Sequence, residues 1–226
     1  MEKKNTILLT VIAVATLLVA VVGATFAYFT ATSSTDGTGA STGEVNTAEV
    51  ASVKLTKAET GKSTTTIYPG TTNYAGMSIT ASKEGSDAAE YDITYTLSGT
   101  VTLSEAFTKG AVSYKVYRTT TPVETPVTCT DPTATPSATG TQYSQECTVD
   151  NTMSTSGEEV ATGTVEGTTA SISISDQELS TSGNTQYYYY LVVSYEKKNE
   201  DQNEDQGKTI TASLTDVSIT NTAKAE

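Results

Sequence analysis

The 226-residue chain contains no histidine, no tryptophan and only two cysteines. Without histidine it cannot form a Ser-His-Asp triad, a histidine-ligated zinc site or an imidazole general base. A Gly-x-Ser-x-Gly elbow and a glycine-rich phosphate loop are also missing from the sequence. A glycosidase would need a pair of carboxylates, and the lack of tryptophan rings to stack on sugars disfavours it. We therefore predict a protein without catalytic residues that is not an enzyme.

Basic residues are scarce. Thirteen Lys and Arg residues stand against 26 Asp and Glu residues, so the formal net charge is −13. An acidic chain without basic clusters repels nucleic acids and anionic lipid surfaces, and self-repulsion keeps it soluble. The composition predicts no nucleic-acid partner.

Charge is also absent from residues 5–35, which follow a short basic start at Lys3 and Lys4. Residues 7–24 are almost continuously apolar, and this order is typical of an export signal. The predicted leader, residues 1–27, is an apolar signal helix. A protein with such a leader is expected to be secreted, extracellular or held at the cell surface.

The end of the leader has the small-x-small pattern that signal peptidase requires, formed by Thr25 and Ala27 around Phe26. Cleavage after Ala27 gives a mature chain that begins at Tyr28. The alternative is an uncleaved membrane anchor, because about 20 apolar residues span a bilayer. In either case the membrane is contacted only through this N-terminal segment.

The rest of the chain is rich in Thr and Tyr, which favour strands. Residues 91–98 alternate apolar and polar side chains, as in a strand with one wet face. Residues 187–195 are apolar or aromatic on both faces, which predicts a central strand. In residues 210–219 the apolar phase slips by one position, which predicts a bulge near Thr215 and Asp216. The expected fold is all-β, an antiparallel two-sheet sandwich preceded by the signal helix.

Composition divides the mature chain into three parts. Residues 28–48 are mostly small and polar and predict a flexible N-terminal arm. Residues 49–222 form the predicted β-sandwich domain. Four of the five prolines lie within residues 119–141, and proline removes ladder donors. We therefore expect a Pro/Thr-rich loop, protruding or inserted at an edge, at about residues 119–150.

Cys129 and Cys147 are the two cysteines, and they flank the second half of this loop. In an exported protein an even count at this separation predicts a disulfide. Two free thiols are the alternative. A redox-active pair is disfavoured because the two residues do not form a Cys-x-x-Cys motif.

Asp201, Asn203 and Asp205 stand at alternate positions, like the first ligands of a calcium loop. The following glycine, Gly207, is one place late, and Ala212 occupies the position of the bidentate glutamate. The sequence thus predicts either a weak Ca²⁺ site or a solvated turn. It predicts no other cofactor.

The junction after the apolar run carries a resemblance to a known family. Gly23, Thr25, Phe26, Ala27 and Phe29 resemble the SipW-type signal peptides of the TasA/camelysin family, matrix proteins of Gram-positive bacteria. The Pro69-Gly70 turn and the run Asp201-Gln202-Asn203 follow in the expected order. The resemblance implies a jelly-roll-like sandwich. Camelysin-like relatives have been described as peptidases, but this chain lacks a His-Glu-x-x-His motif, so that activity is not carried over.

The resemblance further implies a subunit of extracellular fibres or biofilm matrix. Its partners would be copies of itself or related matrix proteins. Release by signal peptidase would free an arm that adds as a strand to the next subunit, with Tyr28, Phe29 and Ala31 as its contact residues. The alternative function is a membrane-anchored, monomeric adhesion module that presents the Pro-rich loop to a partner.

Overall fold

The computed structural model describes residues 32–35, 41–46, 52–63, 66–84, 89–183 and 185–225. In these ranges the chain is mostly β-strand, and all the strand pairs are antiparallel. The prediction of a β-rich, antiparallel protein is confirmed. The predicted signal helix lies outside the described residues. Within the described ranges, no helix combines the length and the apolar character needed to cross a membrane.

The elements of the described chain have the following bounds. The strands are β1 (Thr32–Thr35), β2 (Ser41–Asn46), β3 (Ser52–Lys62), β4 (Thr72–Glu84), β5 (Tyr91–Leu103), β6 (Val112–Thr119), β7 (Val127–Cys129), β8 (Thr133–Ser137), β9 (Gly140–Ser144), β10 (Cys147–Val149), β11 (Glu158–Thr164), β12 (Thr169–Ser180), β13 (Gln186–Tyr195) and β14 (Ile210–Lys224). The helices are α1 (Asn151–Thr155) and a 3-10 helix (Asn203–Asp205).

Two larger sheets contain most of these strands. The first has the order β1-β2-β3-β4-β13-β6-β11, and the second has the order β12-β5-β14. Apolar side chains of both sheets belong to one hydrophobic cluster. Ile93, Tyr95 and Leu97 of β5 are fully buried in it, together with Tyr189 and Leu191 of β13. The period-two pattern of β5 therefore directs its apolar face to this cluster, as the sequence predicts.

Strand β13 is central, as predicted from its two apolar faces. It pairs with β4 on one side and with β6 on the other. Its odd-numbered side chains join the main cluster, whereas Tyr190 and Val192 join a second cluster with Tyr117 and Met153 on the opposite face. Each face of β13 therefore packs against its own cluster, which explains why both faces are apolar.

The phase slip in β14 is also confirmed. The β5–β14 register shifts between Leu214 and Asp216, so Thr215 is the extra residue of a bulge. Ile210, Ala212 and Leu214 pack partly buried against the main cluster, and Val217 is buried beyond the bulge. The bulge thus keeps apolar residues on the inner face despite the change of phase.

The Pro-rich segment contains four short strands. β7 pairs with β10, and β8 pairs with β9. Pro136 lies in β8, in a ladder with one neighbour, where a missing amide donor is tolerated. Val127 and Val149 pack partly buried against the second cluster, so part of this segment covers the outer face of β13.

The described part of the predicted arm consists of β1 and β2. They form a hairpin whose second strand pairs with β3 at the edge of the large sheet. The hairpin ladder is short, with four residue pairs from Thr32↔Glu44 to Thr35↔Ser41.

Candidate functional site

The candidate site is a groove of about 790 Å³ beside β14, which we call the edge groove. One wall is the first half of β14, from Ile210 to Thr215. In the part of the chain that the structure describes, β14 pairs with β5 alone and has no partner on its other side. The backbone amides and carbonyls on that side are therefore available to another strand.

The floor of the edge groove is apolar. It combines partly buried side chains of β14 with buried side chains of β4 and the preceding turn. These residues are Ile210, Ala212, Leu214, Ala75, Met77 and Ile67.

The groove arises because the two sheets differ in width. In the described ranges the first sheet has seven strands and the second has three. Strands β3 and β4 line the groove with Lys57, Ala75 and Met77, next to the edge of β14. A further strand beside β14 would lie over this surface.

Charged side chains line the groove with a positive balance. Lys57, Lys62 and Lys208 are present, against one carboxylate, Glu59. The chain as a whole has the opposite balance, with a formal net charge of −13. A segment with acidic side chains is therefore attracted to the groove.

Lys57 differs from the other two lysines because it is buried, with 5% of its surface exposed. Its Nζ donates a hydrogen bond to the carbonyl oxygen of Thr215, the extra residue of the β14 bulge. Among the described residues, no carboxylate lies within ion-pair distance of this ammonium group. By contrast, Lys62 contacts Glu59, and Lys208 contacts Asp205.

The residues predicted for cleavage and assembly lie outside the described ranges. The predicted cleavage site comprises Thr25, Ala27 and Tyr28. The predicted assembly residues are Tyr28, Phe29 and Ala31. Both roles stay predictions.

Cys129 and Cys147 form a disulfide, with Cα atoms 4.0 Å apart. The two residues face each other in the β7–β10 ladder. The backbone amide of Thr72 donates to Cys147 Sγ over 3.2 Å, so the bridge lies against the start of β4. Nearby, the amide of Gln145 donates to the Pro69 carbonyl over 2.9 Å. The Pro-rich segment is thereby held to the turn before β4.

Asp201 holds the tip of the β8–β9 hairpin. Its Oδ2 accepts hydrogen bonds from the amide and the hydroxyl of Thr139, at 2.9 and 2.6 Å. Its Oδ1 accepts from the Asn203 amide at 3.0 Å. The hydroxyl of Thr139, followed by the Asn203 amide, lowers the pKa of Asp201 to about 2.

Asp205 lies in a separate, buried network. Its oxygens accept from the amides of Thr108 and Lys109, from the Tyr195 hydroxyl and from Lys208 Nζ. Burial raises the pKa of Asp205, but these donors, Lys208 first, outweigh burial and lower the pKa to about 2. Asp205 thus ties its own loop to the loop of Thr108 and Lys109 and to the end of β13.

This geometry bears on the predicted calcium ligands. Asp201 and Asn203 bond to the β8–β9 hairpin, whereas Asp205 bonds to Thr108, Lys109 and Lys208. Within the described ranges, no group of three acidic, cysteine or histidine side chains is arranged to hold a metal ion. Because both Asp205 oxygens already accept hydrogen bonds, its observed role is structural.

A buried tyrosine network is not evident from the sequence. The hydroxyl oxygens of Tyr95 and Tyr189 lie 2.6 Å apart, and Tyr189 also donates to Gln177 Oε1 over 3.1 Å. Arg118 donates to the same oxygen over 2.8 Å. Gln177 follows an irregularity in β12, where Asp176 has a positive φ of 56°. In the sequence, the step from Ile174 to Leu179 breaks the alternation and is the only local signal of this bulge.

A second cleft, of about 750 Å³, lies between the β8–β9 hairpin and residues 197–201. Its lining is mostly polar and includes Thr135, Gln142 and Lys197. Among the described residues that line it, only Pro136 and Ala138 are apolar, so it lacks the apolar floor of the edge groove.

No protein-family model, curated protein or solved structure matches this chain.

Proposed function

We propose that the protein is a secreted structural subunit of extracellular fibres or biofilm matrix, similar to TasA. On this proposal the two large sheets form a jelly-roll-like sandwich, and signal peptidase releases the arm at Tyr28. The arm of one copy then adds as a strand to the edge groove of the next. The observation that carries the proposal is the open edge of β14 beside an apolar floor.

Strand addition suits the edge groove physically. An added strand satisfies the unpaired backbone groups of β14 and places alternate side chains on Ala212, Leu214 and Met77. Each large apolar side chain buried in this way contributes roughly 1.5–3 kcal/mol. Because side chains alternate along a strand, either Tyr28 or the pair Phe29 and Ala31 faces this floor.

The charges support the same occupant. The arm, residues 28–48, contains Asp36 and Glu44 and no lysine or arginine. The groove that would receive it contains three lysines and one glutamate. Opposite charges favour correct association and disfavour a basic competitor.

The arm has an alternative place within its own chain. Its described strands form the short β1–β2 hairpin, in which β1 is an edge strand with four residue pairs. Exchange of such an element between identical subunits is a common route to assembly. Adding the arm to a neighbour therefore requires only that β1 leave β2.

The test compares assembly of secreted variants by electron microscopy and sedimentation of culture supernatant. Deleting residues 28–44 behind the intact cleavage site removes the arm and should abolish polymers. Ala212→Trp fills the groove and should do the same, whereas Ser218→Trp is the matched control at an exposed position of β14 outside the groove. Circular dichroism verifies that each variant is folded. Polymers that persist after the arm deletion would refute the proposal.

N-terminal sequencing of the same material separates this function from the anchored adhesion module. Filaments whose chains start at Tyr28 support assembly. Monomers that retain residues 1–27 support the anchored module.

A further inference from the structure

The buried ammonium group of Lys57 is the feature of the edge groove that backbone pairing does not explain. Hydrogen bonds to β14 would accept any extended segment, so they carry no information on sequence. A lysine with 5% exposure is different, because burying an ammonium group without a counter-ion is costly. In the described chain its partner is a carbonyl oxygen, that of Thr215.

The position of Lys57 is fixed by two irregularities. The bulge of β14 removes Thr215 from the regular β5–β14 register, and Lys57 Nζ bonds to its carbonyl. On β3, Lys57 pairs with Ile79, just before the register shift between Glu59 and Gly61. The ammonium group is thereby held at the Thr215 end of the groove, not on a mobile surface side chain.

We infer that Lys57 is the specificity-determining residue of the edge groove and that it binds a carboxylate on the strand of a second copy. This inference rests on the proposed function, and it adds which strand the groove selects. The edge groove then selects an extended segment that has apolar or aromatic side chains at one end and a carboxylate, bound by Lys57, at the other.

Asp36 of the second copy fits this requirement. It is the first charged residue after the leader, because residues 5–35 carry no charge. In an extended strand, Asp36 lies on the same face as Tyr28, since side chains alternate with a period of two. The two residues are then about 27 Å apart at about 3.4 Å per residue. The strand part of the groove wall, from Ile210 to Thr215, is six residues long, so the Tyr28 end of the arm extends past Ile210 toward the turn at Gly207.

The resulting arrangement places the Tyr28 ring near Gly207 and the Asp36 carboxylate at Lys57. The strand then runs parallel to β14, with one ion pair in a site that excludes much of the water. Such a pair fixes the register of the added strand, because a shift by one residue turns the carboxylate to the outer face.

The test is a charge exchange in the full chain, secreted and processed. Lys57→Glu should lower the yield of sedimentable polymer by about ten-fold or more, since it places two carboxylates together. Asp36→Lys should do the same by placing two ammonium groups together. The double variant, Lys57→Glu with Asp36→Lys, should restore polymers. Lys115→Glu is the matched control on β6, where the lysine is exposed and lies outside the groove, and should change the yield by no more than about two-fold.

Lys57→Met covers the case in which Lys57→Glu does not fold, because it keeps the length of the side chain and removes the charge. In this background Asp36→Lys should no longer reduce the yield. The inference is overturned if folded Lys57→Glu polymerises like the wild type, or if Asp36→Lys reduces the yield as much in the Lys57→Met background as in the wild type. If deleting the arm abolishes polymers in the same series, the proposed function stands even where the inference is overturned. If polymers form without the arm, both the proposed function and the inference are refuted.

Discussion

Tyr95 of β5 and Tyr189 of β13 join their hydroxyl groups between the two large sheets, with oxygen atoms 2.6 Å apart. Both side chains are fully buried. The contact is a polar link inside the main hydrophobic cluster. Tyr189 also donates to Gln177, which lies just beyond the β12 bulge.

The two tyrosines are not equivalent. Among the described residues, the Tyr95 hydroxyl bonds to Tyr189, whereas Tyr189 also bonds to Gln177. Tyr189→Phe leaves the Tyr95 hydroxyl buried without a partner and should lower the free energy of unfolding by about 2 kcal/mol. Tyr95→Phe should cost about 1 kcal/mol, because Tyr189 keeps Gln177. Urea denaturation measures both values, and equal losses would contradict this asymmetry.

Asp205→Asn tests the buried loop network. Asparagine removes the charge that holds Lys208 and weakens the acceptors for the Thr108 and Lys109 amides. We expect a loss of about 3 kcal/mol in the free energy of unfolding, as for other buried ion pairs that lose one partner. Asp201→Asn is the control, because this partly exposed carboxylate shares the lowered pKa without the burial. A loss at Asp201 as large as at Asp205 would contradict the assignment.

The same network sets part of the response to acid. The pKa of Asp205 is lowered from 3.8 to about 2 in the folded protein. A carboxyl group with a lowered pKa stabilises the folded state fully above its unfolded pKa, and the effect is lost as the pH falls through the folded pKa. Asp205 should therefore contribute about 2 kcal/mol above about pH 4 that disappears toward about pH 2. Thermal melts across this range should fall less steeply for Asp205→Asn than for the wild type.

Gly70→Ala tests the contact between the Pro69-Gly70 turn and the Pro-rich segment. Gly70 has a φ of +88°, and a Cβ atom there would lie 2.1 Å from the carbonyl oxygen of Gln145. We expect a loss of about 3 kcal/mol or more, because backbone would have to move against backbone. Gly140→Ala is matched for positive φ but meets nothing within 4 Å, and should cost about 1 kcal/mol. Calorimetry of both variants measures the difference, and similar losses would show that conformation alone matters.

Removing the disulfide should loosen one part of the fold. Replacing Cys129 and Cys147 with serine should reduce stability by up to about 3 kcal/mol, the chain-entropy value for a loop of this size. The bridge contacts Thr72, and the amide of Val123 in the preceding loop donates to the Tyr190 hydroxyl. Amide exchange should therefore quicken in residues 127–149, while β5 stays protected. Equal acceleration in β5 would mean that the bridge supports the whole fold.

The strands could be predicted from the sequence because their signals are local. Alternation identifies the buried face of β5, and two apolar faces identify β13 as central. The phase slip locates the bulge at Thr215. Each of these signals depends only on neighbours along the chain.

The edge groove could not be predicted in this way. It depends on which strands share a sheet and on how many strands each sheet has, and distant pairings such as β5 with β14 are not encoded locally. Lys57 shares the buried phase of Val53 and Leu55, but its bonding partner, the Thr215 carbonyl, is on a strand 158 residues away and is not evident from the local sequence. The role of Asp205 is hidden for the same reason, because its partners Thr108 and Lys109 are distant in the chain.

The buried tyrosines give the molecule an optical reporter of its own. The chain has thirteen tyrosines and no tryptophan, so its near-ultraviolet absorbance comes mainly from phenol rings. Burial raises the pKa of Tyr95, and it raises that of Tyr189 to about 12. In an alkaline titration the exposed rings should ionise first, and the last phenolate signal should appear only when the sheets separate.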